Sequence, residues 1–140
     1  MHKLKIFQNI KYLHQAKGED ALTNKVAIEL TGYSLENKLK GIWFHVPNES
    51  VVSKDNKLTD ILRIKRKHCM GLINGAPDFV FITKEKTLFI ELKTQNGRLS
   101  ESQRDFRDWC AEEEIGYFVA RSVEEVINIL KSNQILKEQN

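Results

Sequence analysis

Three polar side chains interrupt the stretch GAPDFVFITKEKTLFIELKTQ, residues 75–95. Asp78, Glu91 and Lys93 sit in segments that are otherwise Val, Phe, Ile and Leu. The β-branched and aromatic content predicts strands over Phe79–Thr83 and Leu88–Thr94, joined by the turn KEKT as a hairpin. If that turn centres on residues 85–86, Asp78 lies across from Lys93 and diagonal to Glu91. Glu91 and Lys93 are two apart and share one face of their strand. Side chains at these separations can meet at one site.

Two carboxylates brought together repel, so something must compensate. One stays protonated, the lysine pairs with them, or a divalent cation sits between them. One or two carboxylates with water completing the shell is the oxygen ligation Mg²⁺ prefers. Such an ion lowers the pKa of a bound water and stabilises charge on a phosphate. A neighbouring lysine can orient or deprotonate the attacking water, or hold the phosphate. The plain alternative is an edge hairpin with a surface ion pair. The apolar run LFIELK weighs against it, because burying charge needs compensation.

The rest of the chain must position these groups. Leu4, Phe7, Ile10 and Leu13 recur every three residues, predicting a helix over 3–17 that Gly18 ends. A second helix is expected over 20–31, capped by Asp20 and Gly32, with Leu22, Val26, Ala27 and Leu30 inward. Ile42–Val46 reads as a strand closed by Pro47. A third helix covers 58–70, with Leu58, Ile61, Leu62 and Cys69 inward. Ser100 and Gln103 form a capping-box pattern that opens a helix with Phe106, Trp109 and Cys110 as its inner stripe. A strand follows at 117–120, then a helix opened by Ser122 and Glu125; the tail from about 134 is expected to fray. The order α-α-β-α-β-β-α-β-α points to one α/β sandwich around a central mixed sheet.

A chain of 140 residues fits a single domain, here 1–140 with a core of about 20–130. No apolar run reaches the roughly 20 residues that cross a bilayer, and the N-terminus is too interrupted by polar residues for a secretory signal. Cys69 and Cys110 are isolated and read as free thiols of a reducing compartment, not zinc ligands. The net charge of +3 is mild, but its distribution is uneven. Lys54, Lys57, Arg63, Lys65, Arg66 and Lys67 face only Asp55 and Asp60, while acids collect in CAEEE at 110–114. That basic segment is either a solvated helix face or a phosphate-contacting surface.

Pro77-Asp78 and, after twelve intervening residues, the ELK at 91–93 resemble the PD-(D/E)xK nuclease signature. GLINGAPD (71–78), FIELKTQNGRLSESQ (89–103), YFVARSVEEVINIL (117–130) and WFHVPNES (43–50) together resemble the VRR-NUC branch, the virus-type replication-repair nucleases. The resemblance implies a restriction-endonuclease-like α/β/α sandwich. It implies that Asp78, Glu91 and the backbone carbonyl of Leu92 hold Mg²⁺ or Mn²⁺, with Lys93 and Gln103 catalytic. The family also places an acid of an N-terminal helix near the metals; Glu19 or Asp20 fits best, and Glu29 is the alternative. By the same resemblance the substrate is DNA, branched forms such as four-way junctions included. The protein would be a homodimer without membrane attachment, in the cytoplasm of a bacterial or phage-infected cell, working in DNA repair. Lys54–Lys67 and Arg98 would contact phosphates. The competing expectations are a DNA-binding scaffold without cleavage and a restriction-type endonuclease subunit.

Overall fold

The computed structural model describes residues 2–47 and 57–138. The elements are α1 (His2–Phe7), α2 (Gly18–Leu35), β1 (Ile42–His45), α3 (Lys57–Cys69), β2 (Phe79–Ile82), β3 (Thr87–Leu92), α4 (Glu101–Glu112), β4 (Gly116–Ala120) and α5 (Val123–Ser132). Among the described residues, four strands lie in the order β1-β2-β3-β4, antiparallel except for the parallel β3–β4 pair. This is the mixed-sheet α/β sandwich expected from the element order. No helix among the described residues is long and apolar enough to cross a membrane.

Strand alternation sends side chains to two different layers. Leu88, Ile90 and Leu92 of β3 join Phe79 and Phe81 of β2 and Trp43 of β1 on one face. Val26 and Leu30 of α2, Val126 and Leu130 of α5, and Ile135 and Leu136 close over them. Each fully buried Leu, Ile or Phe here contributes about 1.5–3 kcal/mol. Glu91 and Phe89 point to the opposite face, which α4 covers. Phe106 of α4 packs against Phe89 at 5.6 Å and Tyr117 at 6.3 Å between ring centroids.

Several expectations shift in detail. The first helix stops at Phe7 instead of running over 3–17. Phe7 stacks on Trp43 at 5.4 Å, and Asn24 then takes over the backbone by bonding Lys11 O and Leu13 N, both at 3.0 Å. Those side-chain bonds replace helical ones around Leu13, which stays exposed; Leu4, inside α1, is exposed as well. The second helix begins at Gly18 and passes through Gly32 to Leu35. It continues because Ser34 is buried where it accepts a 2.8 Å bond from Trp43 Nε1. Helix α3 buries none of its residues; Leu58 and Leu62, expected inward, are 71% and 58% exposed. Trp109, expected inward, is half-exposed, whereas Cys110 is buried. The C-terminal segment does not fray at 134: Ile135 and Leu136 are buried, and Leu136 bridges Leu39.

The hairpin register also differs from expectation. Thr83 N donates to Lys86 O at 2.8 Å, so the turn centres on residues 84–85. The Thr83 hydroxyl oxygen holds this turn by accepting from Glu85 N and Lys86 N. Phe79 consequently pairs with Ile90, and one step further Asp78 comes level with Glu91, not with Lys93.

Candidate functional site

The end of the β2–β3 hairpin brings the two acids onto one sheet face. Asp78 ends the loop GAPD, whose Gly75 has φ +81°. A Cβ at Gly75 would lie 2.1 Å from Ser102 O, so the loop passes directly against the start of α4. Asp78 Oδ2 accepts from Leu92 N at 2.7 Å. The Asp78 carbonyl accepts from Val46 N at 2.8 Å and lies 2.8 Å from His45 Nδ1. That carbonyl can only accept, so Nδ1 of His45 is the donor. Asp78 is thereby held from three sides.

Glu91 is only 2% exposed. Its Oε1 accepts from Gln103 Nε2 at 2.7 Å and lies 3.8 Å from Lys93 Nζ. Its Oε2 is buried without a hydrogen-bond partner. Gln103 reaches it because Ser100 caps α4 with the expected box: Gln103 N donates to Ser100 Oγ, and Gln103 Oε1 accepts from Ser100 N at 2.9 Å. Both ends of the Gln103 amide are thus used, one for the cap and one for Glu91. Lys93 is 8% exposed, and its Nζ sits 3.7 Å from Glu19 Oε1.

The electrostatics follow from this crowding. Burial, then the Asp78 charge, pushes the Glu91 carboxyl up to about 8, although the Lys93 ammonium opposes the rise. Burial also raises Asp78, with the Leu92 N–H and His45 pulling it back. A pair of buried carboxyls held above their ordinary range favours whatever positive charge can reach them.

Of the N-terminal acids, Glu19 is the one beside Lys93. Asp20 instead lines an open groove with Phe7, Tyr12, Trp43 and Phe44. Glu29 is exposed, about 15 Å further along α2. Among the described residues, no three His, Cys, Asp or Glu side chains form a group that could hold a metal by themselves. The donor set is therefore two carboxylates, one with a buried oxygen lacking a partner, and the remainder would come from backbone and water. That composition suits a hard cation such as Mg²⁺, which keeps several waters.

The basic residues come from other segments than the acids. Lys57, Arg63, Lys65, Arg66 and Lys67 are all on α3, where Arg63 also pairs with Asp60 at 3.4 Å. Arg98 is exposed in the loop between β3 and α4. Lys54, like Asn48 and Glu49, lies outside the described residues. Tyr117 gave no signal in the sequence pattern. Its hydroxyl is buried without a partner on the Glu91 side of the sheet, and burial and the Glu91 charge hold its pKa well above the ordinary range. Parallel pairing of Phe89 with Tyr117 is the signal that would have found it.

A mixed sheet that carries PD on one strand entry and ELK at the end of the next defines the PD-(D/E)xK class of nuclease domain. The VRR-NUC domain model matches residues 25–124, and the chain belongs to the VRR-NUC family. A solved structure described as a VRR_NUC domain protein has the same fold, with a TM-score of 0.58 and 21% sequence identity, over 90% of this chain and 95% of that one. No curated protein matches the chain. Nucleases of this class bind DNA and generally use divalent metal ions.

Proposed function

We propose that the chain is a Mg²⁺- or Mn²⁺-dependent endodeoxyribonuclease that hydrolyses phosphodiester bonds in branched DNA, four-way junctions included. One observation carries the reading: Asp78, Glu91, Lys93 and Gln103 converge, and the cluster contains a buried carboxylate oxygen without a partner. Asp78, Glu91 and the backbone carbonyl of Leu92 would hold the cation. When bound, it would lower the pKa of a water and stabilise charge on the leaving oxygen. The chain's own groups have separate roles. Gln103 fixes the Glu91 carboxylate through Oε1, which keeps Oε2 for the cation. Lys93, flanked by Glu19 and Glu91, presents an amine that orients the attacking water or holds the phosphate. The Leu92 N–H favours the ionised form of Asp78. Arg98 and the basic side of α3 would contact phosphates along the DNA.

The protein would act as a homodimer in the cytoplasm, in DNA repair, so that two centres cut a junction in pairs. Supporting a dimer are the apolar side chains of α3, Leu58 and Leu62, which no other described residue covers.

The deciding experiment incubates labelled four-way junctions, flaps and linear duplexes with the protein and Mg²⁺ or Mn²⁺. Expected are cleavage of branched substrates and its loss, with binding retained, in Asp78→Ala. Binding by wild type without cleavage of any substrate would overturn the enzyme reading. Cutting set by base sequence on linear DNA would replace the junction assignment. Sedimentation at micromolar concentration tests the dimer.

A further inference from the structure

The parallel β3–β4 pair has a second effect at the strand ends. Leu92 pairs with Ala120, and Lys93 N donates to Ala120 O at 3.0 Å. The next residue of each strand therefore emerges beside the other. Arg121 reaches from there into the turn that follows Lys93. Its Nη1 donates to Thr94 O at 2.5 Å and Gly97 O at 2.7 Å, with Gln95 O at 3.3 Å. The same turn is closed by Gly97 N donating to Thr94 O at 3.1 Å.

The turn in its place backs onto the lysine. A Cβ built at Gly97 would stand 3.4 Å from Lys93 Cδ and 3.1 Å from Thr94 Oγ1. Little space separates the turn backbone from the lysine stem. Arg121 is itself anchored, because its backbone N donates to Glu125 Oε2 at 2.6 Å on α5. Glu125 N in turn donates to Ser122 Oγ at 3.1 Å, the cap of that helix. A chain of bonds thus runs from the start of α5, through the guanidinium, to the turn carrying Lys93 at one end and Arg98 just beyond the other. A guanidinium suits this position because it stays charged and offers donors in a fixed plane.

We propose that Arg121 is a positioning residue whose guanidinium fixes the Thr94–Gly97 turn and thereby holds the Lys93 ammonium between Glu19 and Glu91. The catalytic consequence rests on the nuclease reading above. The positioning itself does not.

Two measurements test it. In cleavage kinetics on a four-way junction, Arg121→Ala is expected to lower kcat by about 10–100-fold, the scale of a small misplacement of a catalytic group, with KM changed by less than about threefold. Arg121→Lys keeps the charge and a donor, and should recover part of the loss. In a Lys93→Ala background, Arg121→Ala should cost less than about a further twofold, because its effect runs through the lysine. Full multiplication of the two losses would overturn the proposal. So would a loss confined to KM with a weaker salt dependence, which marks a phosphate contact.

The second measurement needs no cleavage. Amide hydrogen exchange at Gly97 should speed up at least about tenfold in Arg121→Ala, while the β4 amides stay protected. Unchanged exchange at Gly97 overturns the positioning role whether or not the protein cuts DNA. Accelerated Gly97 exchange in Arg121→Ala, with a wild type that cuts nothing, would leave the clamp standing and remove only its catalytic consequence. If Arg121→Ala does not fold, the Arg121→Lys protein carries both measurements, and wild-type values in both overturn the proposal.

Discussion

Gln103 Nε2 donates to Glu91 Oε1 at 2.7 Å while Gln103 Oε1 accepts from Ser100 N at 2.9 Å. One side chain thus caps α4 and satisfies a carboxylate that is almost wholly buried. Gln103→Ala removes both bonds and should destabilise the protein by about 1–3 kcal/mol. Gln103→Glu keeps the cap acceptor but sets a third carboxylate against Glu91. Cleavage should therefore fall further in Gln103→Glu than in Gln103→Ala. Urea melts and single-turnover rates check the pair; a wild-type rate in Gln103→Glu would contradict this role.

The raised carboxyls give a pH dependence with a definite sign. Glu91 sits near 8 when folded against an ordinary 4.5. Between those values the folded chain keeps a proton that the unfolded chain has released, so stability falls as pH rises through that window. Asp78 is shifted in the same direction and adds to the slope. Thermal melts in chelator should show Tm falling from about pH 5 to pH 8, and Glu91→Gln should flatten most of it. A wild-type slope in Glu91→Gln would refute the assignment. If the proposed cation is held by these oxygens, it competes with the proton there, and Mg²⁺ or Mn²⁺ should raise Tm more at pH 8 than at pH 6.

Gly75 is expected to be intolerant of any side chain. Its φ of +81° disfavours other residues, and its Cβ would stand 2.1 Å from Ser102 O and 2.7 Å from Gln103 N. Gly75→Ala should cost about 2 kcal/mol or more from backbone strain and overpacking. It should also slow cleavage by pushing Gln103 from Glu91. Gly71 provides the control, since its φ is +100° but no atom lies within 4 Å of its Cβ position. Gly71→Ala should be strained by about 1–2 kcal/mol and cut DNA normally. Equal rates for the two variants would separate Gly75 from the site.

Helix α3 separates binding from folding. It buries no residue, so reversing charge at Lys65 and Arg66 should change stability by less than about 1 kcal/mol. If these side chains touch phosphates, junction affinity should weaken, and the salt slope should drop by about one for each phosphate no longer neutralised. Fluorescence anisotropy across a salt series reads both. An unchanged slope would remove α3 from the DNA surface.

What was legible in the sequence was what depends on neighbours along the chain. Ser100 and Gln103 declared their cap, and the apolar alternation declared the hairpin. The missed parts depend on tertiary partners. A turn displaced by one residue moved Asp78 from Lys93 to Glu91, because the Thr83 hydroxyl closes the turn early. Leu58 and Leu62 look inward by spacing, but spacing cannot say whether a partner surface exists. Glu19 and Asp20 are equivalent in sequence; the fold separates them, sending one toward Lys93 and the other to a groove. Arg121 was invisible because its acceptors are backbone carbonyls, which every residue has.

Asp78, Glu91, Lys93 and Gln103 all fall within residues 78–103, and Glu19 alone of the cluster described comes from far upstream. The fold can therefore be lengthened in some places and not in others. Extra residues in the connection between α2 and β1 enlarge one loop, and each doubling of a loop costs only about 0.6 kcal/mol. One extra residue between Glu91 and Lys93 would turn them to different faces. The proposed centre is close to a cassette, portable between scaffolds that offer a neighbouring parallel strand and a covering helix. Added length would then be tolerated in the α2–β1 connection and not between the two acids and the lysine.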